Sequence, residues 1–108
     1  MEPYHYWKFR AALDALAGGE APLRTRILYA LMSFAGVRDQ DLPEPVREIY
    51  LELRAHTTWK IDGDPDQGSW KNTLEAMSDE DAEKVVGLFV KLFEVTCRHM
   101  QPEPHSET

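Results

Sequence analysis

Few side chains in this sequence are spaced for chemistry. The four histidines, His5, His56, His99 and His105, stand far apart, and none pairs at the i, i+4 spacing that sets two imidazoles on one metal from a single helix face. The lone Cys97 is two residues from His99, which turns the two side chains to different faces of a helix. It reads as a small buried residue rather than a nucleophile. Asp62, Asp64 and Asp66 alternate in the connection from Thr57 to Gly68, as calcium ligands do. A calcium loop of that type needs glycine at its sixth position and a carboxylate at its twelfth, and here those places hold Gln67 and Thr73. The three aspartates are the candidate metal residues, able to hold a hard cation weakly. Pro65 and the neighbouring glycines account for the same stretch as a turn.

No Gly-x-Ser-x-Gly elbow, phosphate-binding glycine loop or dinucleotide fingerprint is present. Most carboxylates fall at helix starts and outer faces, where capping and solvation explain them. General acid–base chemistry needs a carboxyl group desolvated in a cleft, and no stretch marks one. The expectation is a protein without catalytic activity or cofactor.

The elements that would position any site are helical. Met77 to Met100 is the organising stretch, with Ser78 as N-cap and Asp79, Glu80 and Asp81 at the positive end of the helix dipole. Ala82, Val85, Phe89, Leu92, Phe93, Thr96 and Met100 recur at steps of three and four, so they share one face. Leu88, Val90 and Val95 fall outside that stripe and widen the apolar surface. Gly87 costs about 1 kcal/mol against alanine inside a helix, and a close helix crossing would explain it.

Before it, Tyr4 to Ala17 reads as a helix with Tyr6, Phe9, Leu13 and Leu16 inward and Tyr4, Trp7 and Ala11 on an adjoining face. Pro22 opens a second helix ending near Gly36. Its second half is apolar nearly all round, which predicts a buried position, with Arg24 and Arg26 solvated. Asp41-Leu42-Pro43-Glu44 has the form of a capping box and starts a third helix that runs to about His56. Ser69 caps a short fourth helix, with Trp59 and Trp70 pinning the ends of the acidic connection to the core. The expected fold is all-α: a compact single-domain bundle of four main helices plus one short helix, centred on the second and fifth. It spans residues 1–100, with a disordered tail at 101–108 that holds two prolines and no apolar residue.

The chain has 108 residues, 43% apolar and 29% charged, which suits one globular domain. It lacks a run long enough to span a membrane and a secretory signal, and it has a single cysteine, so the cytoplasm is the expected compartment. Residues 1–38 carry five basic residues against three acids, and residues 39–108 carry seven against 16. So acidic a chain is a poor nucleic-acid binder, and a helix-turn-helix reading of the second and third helices fails on the same charge. These observations favour a small interaction or regulatory module that binds a protein partner or a second copy of itself. Tyr4, Trp7, Leu88 and Val95 are its candidate contact residues. Two alternatives remain open: an acidic mimic that blocks a nucleic-acid-binding protein, and a cation-responsive domain using Asp62, Asp64 and Asp66.

Overall fold

The computed structural model describes residues 3–34, 36–60 and 68–100, of Met100 the backbone alone. Five α-helices follow in order: α1 (Pro3–Ala17), α2 (Leu23–Met32), α3 (Glu44–Thr57), α4 (Ser69–Ala76) and α5 (Asp79–Met100). A 3-10 turn, Asp39–Asp41, precedes α3. The all-α architecture of four main helices and one short one is thus present, with no strand among the described residues. No helix among them is long and apolar enough to cross a membrane. Asp62, Asp64 and Asp66, and the tail 101–108, lie outside the described residues.

The core is organised by four aromatic rings from four parts of the chain. Phe34 lies 5.2 Å from Phe9, 5.5 Å from Tyr50 and 5.3 Å from Phe89, centroid to centroid, and meets Phe9 edge to face at 82°. Such pairs contribute roughly 0.5–1.5 kcal/mol each beyond the area they bury. Tyr50 also donates its phenol hydrogen to the Val37 carbonyl at 2.9 Å, so the buried hydroxyl is satisfied. Around these rings α5 lies between α1 and α3, while α2 packs on α1 and α4.

Several sequence expectations are corrected by this packing. The buried stripe of α1 is His5, Phe9, Ala12 and Leu16, not Tyr6, Phe9, Leu13 and Leu16. Both stripes contain Phe9 and Leu16 and differ by part of a turn; the fold buries the small Ala12, and Leu13 is left half-buried. α5 is central as expected, but α2 is not, and its Tyr29 and Met32 are more than half exposed. A domain with five helices has too few layers to enclose a helix on every side. α2 also ends at Met32 rather than near Gly36, because the backbone turns there to bring Phe34 into the core. Trp59 is exposed rather than pinned, whereas Trp70 does pack on the core.

The caps differ in the same way. At α5 the expected cap is made: Ser78 Oγ accepts the Asp81 N–H at 3.1 Å. The expected capping box before α3 is not formed. Asp41 instead receives Arg38, and Arg47 donates to the carbonyls of Asp39 and Leu42. Arg24 and Arg26 are not solvated side chains. Arg24 donates to the Leu74 carbonyl and to Asp79, both at 2.7 Å, tying α2 to the α4–α5 junction. Arg26 donates to the carbonyls of Leu16 at 2.7 Å and Ala21 at 2.9 Å, closing the end of α1. No helix crosses at Gly87, where an added Cβ would meet nothing within 4 Å.

Candidate functional site

The four candidate contact residues do not form one surface. Trp7 is 62% exposed and Tyr4 is exposed beside it on α1. Leu88 is only 9% exposed and belongs to the core, and Val95 is half-buried against that core. Leu88 and Val95 fall on one side of α5, towards its packed neighbours, and so are removed as contact residues. The exposed apolar residue of α5 is Val90, at 42%. It shares its helix face with the half-buried Val86, Phe93 and Cys97, at steps of four, three and four.

That face adjoins α1 through a chain of rings. Trp7 meets Tyr6 edge-on at 5.1 Å, and Tyr6 lies 5.6 Å from Phe93. Arg10 extends the strip: the Tyr6 phenol, with Asp14 next, holds its guanidinium above its already high ordinary pKa, so it stays charged. The result is an apolar seam along α1 and α5 with charged margins. The spacing in α5 alone did not reveal it, because the wide apolar pattern left open which flank α3 would cover.

A second, polar site was missed altogether. Tyr4, His5, Gly36, Arg38 and Asp41 line an open cleft of about 530 Å³. His5 is 5% exposed, and its Nδ1 has no hydrogen-bond partner among the described residues. Arg38 pairs with Asp41 through Nε at 3.1 Å and Nη2 at 3.4 Å. Tyr4 stands edge-on to His5 with centroids 5.3 Å apart, and Lys8 Nζ sits 5.4 Å from the Tyr4 ring centre. Residues 4 and 5 meet residues 36–41 only in the folded chain, so no local motif signals the cleft.

Apolar space also opens between α2 and α4, a groove of about 370 Å³ lined by Leu28, Met32, Gly68, Ser69, Trp70 and Lys71. The histidines and Cys97 do not converge: among the described residues no group of three or more His, Cys, Asp or Glu side chains is placed to hold a metal ion. The aspartates of the acidic connection are not among those residues. Comparison with known proteins finds no match, whether to a family model, a curated protein or a solved structure.

Proposed function

We propose that this chain is a protein-interaction module that acts by binding rather than catalysis, and that its first partner is a second copy of itself. The observation that carries this reading is the exposed Trp7, linked through Tyr6 to Phe93 and continued by Val90. A large exposed indole beside half-buried rings is the composition of an interface centre, where Trp and Tyr dominate binding energy.

Charge favours a second copy as the occupant. α5 starts with Asp79, Glu80, Asp81 and Glu83 and ends with Arg98 and His99, with Lys91 in its second half. Two such helices related by a twofold axis near Val90 run antiparallel, so the acidic end of each meets the basic end of the other. That arrangement is self-complementary, as an isologous dimer requires. The opposite charges at the margins set orientation more than affinity, and salt weakens them.

Sedimentation equilibrium over a wide concentration range tests the proposal. The wild-type chain should pass from monomer to dimer, and Trp7→Ser combined with Val90→Glu should remain monomeric with unchanged helical circular dichroism. A wild-type chain that stays monomeric at millimolar concentration refutes self-association, and a dimer indifferent to both substitutions refutes the seam.

A further inference from the structure

The polar cleft beside α1 is separate from the seam, and what it contains points to a ligand. Tyr4 and His5 are the second and third residues of α1, so the cleft lies at the positive end of a helix of 15 residues. The first peptide N–H groups of a helix have no acceptor within it, and α1 carries no acidic side chain in its first turn to take them. Across the cleft, Arg38 gives Nε and Nη2 to Asp41 and does not use Nη1 in that pair.

His5 is the independent observation. It is 95% removed from solvent, it lines the cleft, and its buried Nδ1 has no partner among the described residues. A buried ring nitrogen is unfavourable without a hydrogen bond, and such groups in native folds call for an explanation. The space is also kept open by backbone design. Gly36 has φ +88°, and a Cβ there would stand 3.3 Å from the Tyr4 hydroxyl. A volume of about 530 Å³ is in the range of small-molecule sites.

Charge selects the class of ligand. Asp41 is already matched by Arg38, and Lys8, over the Tyr4 ring, leaves the surroundings with a positive surplus. With the helix end added, the cleft offers N–H donors and positive potential and one carboxylate that is already occupied. We propose that this cleft binds a small molecule through an oxyanion, carboxylate or phosphate, held by the first turn of α1, His5 and Arg38.

The test is a nuclear magnetic resonance titration of the full chain with sodium phosphate and, separately, sodium citrate, each against sodium chloride at matched ionic strength. Saturable shifts confined to Tyr4, His5, Gly36 and Arg38, including the His5 ring carbons, are expected for one or both anions; which one saturates identifies the anion. Arg38→Gln, a change at an exposed side chain that should leave the fold intact, should weaken binding at least tenfold, and His5→Phe should abolish the local shifts. Shifts no larger than those in chloride, shifts spread over the surface, or an affinity unchanged by Arg38→Gln would overturn the proposal.

Discussion

Replacing Arg26 by methionine tests the packing where it departs furthest from the local sequence. In the folded chain Arg26 donates Nη1 to the Leu16 carbonyl at 2.7 Å and Nε to the Ala21 carbonyl at 2.9 Å. Leu16 is in the last turn of α1, whose final carbonyls have no acceptor-matched N–H within the helix, and α1 has no basic residue of its own there. Methionine keeps most of the unbranched stem and removes both charged donors. Hydrogen bonds to a charged group are each worth about 1.5–3 kcal/mol net. The two carbonyls are only partly buried and regain water, so the combined loss should be about 2–3 kcal/mol. At about 4 °C per kcal/mol for a chain near 100 residues, the midpoint should fall by roughly 8–12 °C. Urea unfolding followed by circular dichroism measures the free energy, and a thermal scan the midpoint. Arg26→Lys, with one compact ammonium in place of a fork, should recover only part of the loss. Arg10→Met, at a fully exposed ion pair, should leave the midpoint nearly unmoved. An Arg26→Met protein within about 0.5 kcal/mol of wild type, the range of an ordinary surface change, would show that the clamp contributes nothing.

Gly87→Ala should stabilise the monomer by about 1 kcal/mol in urea unfolding, since the site is helical and exposed and a Cβ meets nothing; a loss of stability would reveal a crossing at that point. Burial raises the Tyr50 phenol pKa above its ordinary value, despite the opposing charge of Arg54. The folded state therefore holds that proton more tightly than the unfolded chain, so the contribution is complete below about pH 10, the unfolded value, and is lost as pH rises through the folded one. Unfolding free energies from about pH 9 to about pH 11 should fall more steeply in wild type than in Tyr50→Phe; parallel slopes would count against this account. The same variant should be about 1 kcal/mol less stable at neutral pH, because the Val37 carbonyl loses its donor.

The helices themselves were legible because their signals are local. The Ser78 cap, the acidic first turn of α5, the proline before α2 and the three-and-four spacing of apolar residues each act within a few residues. Number, order and type of elements follow from such terms. Which face of a helix is buried does not, because neighbouring stripes share residues. In α1 the choice between Ala12 and Leu13 was made by α2 and α5, and in α5 the burial of Leu88 and the exposure of Val90 were made by where α1 and α3 lie.

Polar side chains were the least legible. Arg24 finds Leu74 and Asp79, 50 and 55 residues away, and a charge in a helical first turn looks the same in sequence whether water or a distant carbonyl receives it. The cleft of His5 and Arg38 has the same origin, since its walls are 30 residues apart in the chain and share no motif. The sequence alone determined that the chain forms five helices with surplus apolar and acidic faces. Tertiary structure alone decided which apolar faces stay open and which buried groups are left without partners, because both depend on distances between residues that no local free energy couples.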